Sequence, residues 1–260
     1  MHKLERKDVI LNKIIEKNFI SSKDLFDYAF SIGINKTTAR RDLKELQDEE
    51  KISLTFGGIT SRVENIYETD RSEKVQHKNF EKNIMAREAI KFIKDDEIIF
   101  CSPGTTIERF VREIKTKVKL LVTNSFPVFL EAWKNNKIVD VFLLGGIFKE
   151  KSQVFYNRNT KKYLEGIKFS KLFFSCLSLD YEGNIYDDFV PEVDTLRDAL
   201  KISKEKILLV DSSKIKDEGI EKVTNIKEID IVITDEKSKE KIGTRFPNVN
   251  IIYSNGEKNE

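Results

Sequence analysis

Cysteine and histidine are scarce in this sequence, and their scarcity removes several classes of function. The 260 residues include two cysteines, Cys101 and Cys176, and two histidines, His2 and His77. Both cysteines lie in apolar runs without a partner at zinc-ligand spacing, so we expect buried thiols rather than a disulfide or a metal site. The isolated histidines form no cluster for catalysis or metal binding. We therefore predict no catalytic residues, no metal site and no cofactor.

Long apolar runs and a strong excess of one charge are missing as well. No uninterrupted apolar run is long enough to span a bilayer, and the opening stretch MHKLERKDVI is charged, so we expect a soluble cytoplasmic protein with no membrane partner. The chain has 46 basic and 44 acidic residues, so any surface for nucleic acid has to be a local cluster. The patterns G-x-x-x-x-G-K-[ST] and G-x-G-x-x-G are absent, which argues against nucleotide binding.

The stretch TTARRDLKELQDEEK, residues 37–51, places its charges in an order that an isolated helix disfavours. Arg40 and Arg41 lie near the positive end of the helix dipole, and Asp48, Glu49 and Glu50 lie near the negative end. Each such charge costs roughly 0.3–1 kcal/mol at an exposed position. The order is explained if the basic end binds an anionic partner. A solvated helix with an arbitrary order of charges is the alternative.

The segment around this stretch has the pattern of a small helical domain. Three runs carry apolar residues at helical spacing: Val9, Ile10, Ile14 and Ile15 in the first, Leu25, Phe26 and Ala29 in the second, and Ala39, Leu43 and Leu46 in the third. We expect Ser21 or Ser22 to cap the second helix and Asn35 or Thr37 to cap the third. Gly33, in the turn SIGIN between them, is the natural C-terminal stop of the second helix.

A short extended segment, KISLTFGGI, follows the third helix and contains a tight turn at Gly57-Gly58. Three helices and a hairpin predict a winged helix-turn-helix, which inserts its last helix into the major groove with the amino-terminal residues nearest the bases. Arginine can read guanine edges or clamp phosphates, and threonine can contact a base or a phosphate. The residues expected to contact DNA are Lys36, Thr37, Thr38, Arg40, Arg41 and Lys44.

The rest of the chain predicts an α/β domain. From about Ser61 to Phe80 the sequence is polar and weakly periodic, which suits a linker. Beyond it, the strand-like runs EIIFC, KLLVT, VFLLG, KLFFSCL, KILLVD, DIVIT and NIIYS are separated by helical runs such as NIMAREAIKFI, TTIERFVREI, FPVFLEAW and EVDTLRDALKI. This alternation predicts a mostly parallel sheet covered on both faces. We expect a DNA-binding domain at 1–60, a linker at 61–80 and the α/β domain at 81–254.

Glycines and small polar residues follow four of the predicted strands, in the segments SPGTT, TNS, GG and DSSK. Ligands of open parallel sheets bind beyond the carboxyl ends of the strands. Gly104 allows a ligand to approach the backbone, Thr105 and Thr106 open a helix whose free N–H groups favour an anion, and Lys214 supplies a point charge for a phosphate. We interpret these segments as a pocket for a small phosphorylated, hydroxyl-rich molecule. Ordinary loops of the same composition are the alternative.

In their order along the chain these segments resemble DeoR-type bacterial transcriptional regulators, from Arg6 to about Asp235. TTARRDLKEL followed by FGGI is similar to the family's helix-turn-helix signature, and EKNIMAREA, PGTT, TNS, LLGG and DSSK match its sensor domain. The resemblance implies a sensor fold similar to sugar-phosphate isomerases, which binds a phosphorylated sugar or related metabolite and so changes DNA affinity. It implies DNA contacts by Thr38, Arg40 and Arg41. The effector-binding set predicted from the strand ends and the resemblance together is Ser102, Gly104, Thr105, Thr106, Thr123, Asn124, Ser125, Gly145, Gly146, Asp180, Asp211 and Lys214.

Two positions and one stretch depart from the family pattern. Ser102 stands where the family usually has aspartate, and Asn157 stands where a glycine is usual. In the stretch SCLSLDYEGN, which corresponds to a glycine-rich family segment, only Asp180 matches clearly.

These observations predict a repressor of a carbohydrate operon that binds double-stranded operator DNA as a homodimer or homotetramer and responds to a phosphorylated metabolite. An enzyme of the sugar-phosphate isomerase or deaminase class with an added helix-turn-helix is one alternative, with Asp180, Asp211 or Glu192 as its base. A regulator whose sensor domain only oligomerises is the other, suggested by Ser102 and Asn157.

Overall fold

The computed structural model of the protein describes residues 3–17, 19–49, 51–55, 58–61, 79–157, 159–188 and 190–255. Contacts between residues divide the chain into two units, Met1–Thr69 and Asp70–Glu260. The boundaries expected from the sequence stay predictions. Gly57, His2, His77 and positions 62–78 of the predicted linker lie outside the described residues.

The described part of the amino-terminal unit has three helices and three short strands. The elements are α1 (Lys3–Lys17), β1 (Phe19–Ser21), α2 (Ser22–Ser31), α3 (Lys36–Asp48), β2 (Ile52–Thr55) and β3 (Gly58–Ser61). The Ser21 hydroxyl caps α2 by accepting from the Asp24 N–H at 3.1 Å. Asn35, rather than Thr37, caps α3 by accepting from the Thr38 N–H at 2.8 Å. Gly33 has a φ of +82°, as its place in the turn predicts.

The apolar faces of these helices meet in one core with the sheet. Ile10, Ile14, Leu25, Ala29, Ala39, Leu43, Leu46, Ile52 and Ile59 are buried in it, whereas Val9 is only partly buried. The sheet is antiparallel in the order β1-β3-β2. The winged helix-turn-helix is thus confirmed. β1 was not predicted from the sequence, because three residues are too short to show a strand pattern.

The carboxyl-terminal unit contains a seven-stranded sheet in the order β15-β14-β12-β9-β4-β5-β6. Its strands are β4 (Glu97–Cys101), β5 (Val118–Thr123), β6 (Ile138–Leu143), β9 (Phe169–Phe174), β12 (Ser203–Leu209), β14 (Ile231–Asp235) and β15 (Ile251–Ser254). All six neighbouring pairs are parallel. The predicted parallel sheet is confirmed. β6 begins three residues before the predicted VFLLG run, because the exposed Val139 and Asp140 of this edge strand hide its start.

Helices cover both faces of this sheet. Those in the described ranges are α4 (Asn79–Ala89), α5 (Thr105–Glu113), α6 (Phe126–Lys134), α7 (Thr160–Leu164), α8 (Val190–Ile202) and α9 (Ser238–Ile242). The first three bury apolar side chains such as Met85, Phe110 and Val128 against one face. The last three bury side chains such as Leu164 and Leu196 against the other. Every central strand is covered twice, which is why its sequence lacks polar alternation.

Small antiparallel sheets complete the unit. The strands β7 (Ile147–Lys149) and β8 (Val154–Tyr156) form a hairpin after β6. The strands β10 (Ser178–Leu179), β11 (Asn184–Asp187) and β13 (Glu221–Asn225) form a three-stranded sheet. Short 3-10 turns span Ile90–Phe92, Ser212–Lys214 and Ile226–Glu228. Within the described ranges no helix has the length and apolar character needed to cross a membrane.

Candidate functional site

The acidic half of α3 is held by basic side chains of α1. Arg6 donates two hydrogen bonds to the Asp42 carboxylate, from Nε to Oδ2 at 2.5 Å and from Nη2 to Oδ1 at 3.0 Å. The Asp42 side chain is fully buried, so this fork-shaped pair is an internal part of the domain. Lys3 Nζ lies 2.8 Å from the Glu45 carboxylate one turn further along α3.

Glu49, at the end of α3, is bound by two lysines. Lys7 Nζ donates to Glu49 Oε1, and Lys51 Nζ lies 2.9 Å from Oε2. These hydrogen bonds, the one from Lys7 first, lower the pKa of Glu49 to about 2. The same bond raises the pKa of Lys7. Among the acids at the disfavoured end of α3, Glu49 is therefore neutralised by Lys7 and Lys51, a reason that only the fold reveals. Asp48 is exposed, and Glu50 lies outside the described residues.

The basic half of α3 lacks such partners among the described residues. Lys36, Arg40, Arg41 and Lys44 are exposed, and no described carboxylate lies within ion-pair distance of them. Thr37 is exposed too, and its spacing from Arg41 and Lys44 places the three on one side of the helix. This side of α3 is therefore a solvated, uncompensated positive surface.

Two of the predicted DNA-binding cations lie against α2. Lys36 Nζ is 5.2 Å and Arg40 Cζ is 5.6 Å from the centre of the Phe26 ring, which fits cation–π contacts. Thr38 is only partly exposed, and its N–H is committed to the Asn35 cap. Arg41 and Lys44 therefore extend outward, and Lys36 and Arg40 form a flank beside α2.

In the other unit, Ser102, Ser175 and Lys214 connect three loops at the carboxyl edge of the sheet. The Ser175 N–H donates to Ser102 Oγ at 3.3 Å, which joins the loops after β4 and β9. Lys214 Nζ donates to Ser175 Oγ at 2.9 Å and to the Cys176 carbonyl at 2.6 Å, which adds the loop after β12. Ser175 was not predicted from the sequence, because SCL read as part of a strand.

Lys82 is a further cation at this edge that the sequence analysis did not assign. It lies on the buried stripe of α4 with Met85, Ala86 and Ala89, and its fractional exposure is 4%. Desolvation, followed by the positive charge of Lys214, lowers the pKa of Lys82 to about 8. The two ammonium groups therefore share one surrounding. A lysine in register with three apolar helix positions was the signal that could have revealed it.

The charges of Asp211, Glu108 and Arg109 also act on Lys82, so the loop after β12 and helix α5 contribute to the same region. Asp211 caps the short turn Ser212–Lys214 and accepts from the Ser213 N–H at 3.0 Å. Among the predicted residues of this part of the edge, Ser102, Thr106 and Asp211 are buried, and Gly104, Thr105 and Lys214 are partly exposed.

Asn124 has one satisfied and one unsatisfied side-chain group. Its Nδ2 donates to the Phe155 carbonyl at 3.2 Å, whereas its Oδ1 is buried and has no hydrogen-bond partner among the described residues. Thr123 Oγ1 accepts from the Ser125 N–H at 3.1 Å, and Ser125 caps α6. A buried acceptor without a partner is costly, so Asn124 Oδ1 marks a place where a hydroxyl donor from a ligand would be stabilised.

Two of the predicted glycines have a conformational reason. Gly104 precedes α5 with a φ of +136°, and Gly146 opens the β7–β8 hairpin with a φ of +152°. A β-carbon at Gly146 would lie 2.2 Å from the Tyr156 carbonyl oxygen, whereas one at Gly145 would contact nothing within 4 Å. Asn157, at one of the departures from the family pattern, lies directly beside Gly146.

Asp180 lies in the turn between β10 and β11, and its carboxylate organises that turn. It accepts from the Glu182 and Asn184 N–H groups at 2.9 and 2.7 Å, from Asn184 Nδ2 at 2.9 Å and from the Tyr186 hydroxyl at 3.0 Å. Burial, and then the bond to Asp180, raises the pKa of Tyr186 to about 12. Asp180 thus has a structural role, and its place in the effector pocket stays a prediction.

Glu192 and the two cysteines have other surroundings in the structure. Glu192, considered as a base, accepts from the Ser152 hydroxyl at 3.0 Å. Cys101 and Cys176 are buried free thiols, as predicted, and burial raises the pKa of both, that of Cys176 to about 12. In the described part of the chain no group of three or more His, Cys, Asp or Glu residues could hold a metal ion.

Comparison with known proteins identifies the two units. The family model of the DeoR-like helix-turn-helix domain matches residues 6–64, and that of the DeoR C terminal sensor domain matches residues 77–236. The chain belongs to the DeoR family. The DNA-binding residues predicted on α3 fall within the first match, and all twelve predicted effector-binding residues fall within the second. This DeoR-family protein is therefore a DNA-binding transcriptional regulator with a sensor domain.

Curated relatives align with nearly the whole of this DeoR-family chain. The lactose phosphotransferase system repressor of Staphylococcus epidermidis is 30% identical over 244 residues, which cover 93% of this chain and 95% of that protein. Its counterpart in Streptococcus mutans is 31% identical over 247 residues, 93% of this chain and 96% of that one. Among solved structures, ribose 5 phosphate isomerase A from Neisseria gonorrhoeae aligns over 52% of each chain with a TM-score of 0.39 and 16% identity. A likeness of that extent carries no functional argument.

Proposed function

We propose that this DeoR-family regulator represses a carbohydrate operon by placing α3 in the major groove of its operator. The division of charge on α3 carries the proposal. Asp42 is paired with Arg6 and Glu49 with Lys7. Arg41 and Lys44, in contrast, are exposed and have no ion-pair partner among the described residues. Positive charge without an internal partner is what phosphate neutralisation by DNA requires. Its relatives that are named lactose phosphotransferase system repressors support the carbohydrate assignment.

Arg41 is the residue we expect to matter most for operator binding. It lies in the centre of the exposed line of α3, between Thr37 and Lys44, and is free to reach a base edge or a phosphate. Lys36 and Arg40, held against Phe26, suit contacts to the flanking backbone.

Arg41→Ala tests this assignment in a fluorescence-anisotropy titration with operator DNA at two salt concentrations. We expect a loss of about 1–3 kcal/mol per half-site and a smaller salt dependence. Arg87→Ala is the matched control, because Arg87 is an exposed arginine of α4 in the other unit. Equal affinities of Arg41→Ala and Arg87→Ala would remove Arg41 from the interface.

For the effector we propose a phosphorylated sugar at the carboxyl edge of the sheet. The amino end of α5 after Gly104 and the ammonium groups of Lys82 and Lys214 suit the phosphate. The two lysines repel each other, which contributes to the lowered pKa of Lys82, and a phosphate dianion would relieve that repulsion. The unpaired Asn124 Oδ1 suits a sugar hydroxyl.

Effector binding would act on DNA through a population shift between a DNA-competent arrangement of a dimer or tetramer and an incompetent one. Two half-sites of an operator require at least two copies of α3. A protein of this function works in the cytoplasm, where it meets chromosomal DNA.

A thermal-shift panel of sugar phosphates tests the sensor assignment. A ligand at about 100 times its Kd stabilises the folded state by about 2.7 kcal/mol. We expect Lys214→Ala to abolish the shift and Lys204→Ala, an exposed lysine at the opposite end of β12, to retain it. A flat panel would favour a sensor domain that only oligomerises, and turnover of a sugar phosphate that Asp211→Ala abolishes would favour an enzyme.

A further inference from the structure

An apolar surface rich in aromatic side chains lies beside the proposed effector pocket. Helix α6 buries Val128 and Ala132 against the sheet, but it also carries Phe126, Phe129 and Trp133 on another side. The centroid of the Phe126 ring lies 6.5 Å from that of the Phe129 ring and 6.1 Å from that of the Phe148 ring in β7. We call Phe126, Phe129, Trp133 and Phe148 the aromatic face.

The aromatic face is more exposed than the monomer's own packing explains. Trp133 is 70% exposed and Phe148 is 45% exposed. Val139 of the edge strand β6, on which α6 packs, is 58% exposed. Since a large aromatic residue presents about 150–250 Å², these residues together expose roughly 400 Å² of apolar surface. Contiguous apolar patches of this size on a soluble protein usually mark an interaction site.

We propose that the aromatic face binds the same face of a second copy of this chain across a two-fold axis. In such an interface each residue of one copy meets the same patch of the other, so the patch has to complement itself. An apolar, aromatic surface satisfies this condition. The neighbouring ion pair does not oppose it, because Arg112 and Glu131 are paired internally at 2.9 Å.

The area is sufficient for a stable dimer. Two such faces bury roughly 800 Å² of apolar surface, and because homodimer interfaces are about 65% apolar, this corresponds to a total of about 1,200 Å². That value lies at the lower end of the range for specific protein–protein interfaces. The need for a second copy rests on the proposed function, since an operator with two half-sites requires two copies of α3.

Hydrogen bonds tie the aromatic face to the proposed effector pocket. The Phe155 N–H donates to the Asn124 carbonyl at 2.8 Å, and Asn124 Nδ2 donates to the Phe155 carbonyl at 3.2 Å. The centroid of the Phe155 ring in turn lies 5.0 Å from that of the Phe148 ring and 6.4 Å from that of the Phe126 ring. A ligand hydroxyl bound at Asn124 would therefore act one residue away from the contact between the two copies.

Sedimentation velocity of the full chain over a range of concentrations tests the proposal. We expect a dimer for the wild type and for Trp133→Phe, and a monomer for Trp133→Glu. Loss of a central aromatic contact weakens an interface at least about 30-fold. Because each of the two copies contributes one Trp133, the substitution removes two such contacts, and we expect the dissociation constant of the dimer to rise about 1,000-fold. Tyr163→Glu on α7, 50% exposed on the other face of the sheet, should stay dimeric. A dimer of Trp133→Glu with wild-type affinity would overturn the proposal, as would a monomeric wild type.

Tryptophan fluorescence gives a second test that needs no substitution. Trp133 is the only tryptophan of the chain. In the dimer its emission should be blue-shifted and protected from acrylamide, and on dilution to the monomer it should become red-shifted and accessible. Full accessibility in a species with the mass of a dimer would move the interface elsewhere.

The outcomes for this interface and for the proposed function are separable. Operator binding by a dimer whose Trp133 is accessible would leave the regulator intact and reject the aromatic face. A dimer with protected Trp133 that binds no DNA would support the face and reject the proposed function.

Discussion

Replacing Arg6 by alanine tests whether the buried acid of α3, Asp42, belongs to the fold of the amino-terminal unit. Arg6 is 14% exposed and forms two hydrogen bonds to Asp42, which is fully buried. The substitution removes both donors and leaves a carboxylate without a partner in the core of the amino-terminal unit. If the acids of α3 belong to the fold, the substitution destabilises the domain.

The expected loss is large relative to the stability of such a small domain. Removing one partner of a buried ion pair costs about 3–5 kcal/mol. At about 0.05–0.15 kcal/mol per residue, a domain of roughly 60 residues has a free energy of unfolding of about 3–9 kcal/mol. Arg6→Ala should therefore leave the amino-terminal unit marginally folded or unfolded.

Urea denaturation followed by two signals separates the units. Trp133 is the only tryptophan and lies in the second unit, so its fluorescence reports that unit alone. Far-UV circular dichroism reports both. We expect Arg6→Ala to lose an early portion of the dichroism transition while the fluorescence transition stays unchanged. Lys51→Ala is the control, because it removes only an exposed partner of Glu49 and should cost less than about 1 kcal/mol.

A double variant distinguishes a structural role of the pair from a role in DNA binding. Arg6→Met with Asp42→Leu replaces the buried pair by apolar side chains, which is often neutral or stabilising. It should restore the folded domain and operator binding, since the basic side of α3 is unchanged. If Arg6→Ala lowers the free energy of unfolding by less than about 1 kcal/mol, the pair does not stabilise the domain. If the stable double variant binds no operator, the pair has a role in DNA binding.

Three further predictions follow from the sensor domain. Burial, followed by the charge of Lys214, lowers the pKa of Lys82 from its ordinary 10.5 to about 8 in the folded protein, so stability rises by up to about 3 kcal/mol between pH 8 and 10.5. Lys82→Met should therefore be more stable than wild type at pH 7 and lose that advantage near pH 10, and a difference in the free energy of unfolding that does not change with pH would contradict this. Gly146→Ala should introduce strain of about 1–3 kcal/mol and so lower the Tm, whereas Gly145→Ala should leave the Tm unchanged. Equal Tm values of the two variants would argue against the close approach of residue 146 to the Tyr156 carbonyl. Asp180→Ala should cost about 2–3 kcal/mol and lower the pKa of Tyr186 from about 12, which ultraviolet titration measures; an unchanged titration would exclude the hydrogen bond.

The arrangement of the large elements could be predicted from the sequence. The strands of the seven-stranded sheet are apolar because both faces are covered, and this produces the uninterrupted runs on which the prediction rests. The caps at Ser21 and Asn35 and the turn at Gly33 follow from local backbone chemistry. Caps, turns and apolar runs depend on residues that are close in sequence, so they can be predicted without knowledge of the fold.

Features that depend on distant residues could not be predicted. The partners of Asp42 and Glu49 lie 36 and 42 positions away along the chain. The sequence alone therefore could not show that these two acids are paired within the domain. Lys82 could be assigned to the proposed pocket only because α4 places it on a buried stripe where the charge of Lys214 acts on it. The sheets β7-β8 and β10-β11-β13 of the carboxyl-terminal unit were not predicted, because their strands are only two to five residues long.

An anisotropy titration of the protein with the DNA upstream of its own gene, at two salt concentrations and with and without a mixture of sugar phosphates, tests the proposed regulation most directly. A metabolite-gated repressor should show sequence-selective, salt-sensitive binding that the mixture changes. Fractionating the mixture would then identify the effector. Absence of selective binding at either salt concentration, or selective binding that no sugar phosphate alters, would contradict a metabolite-gated repressor.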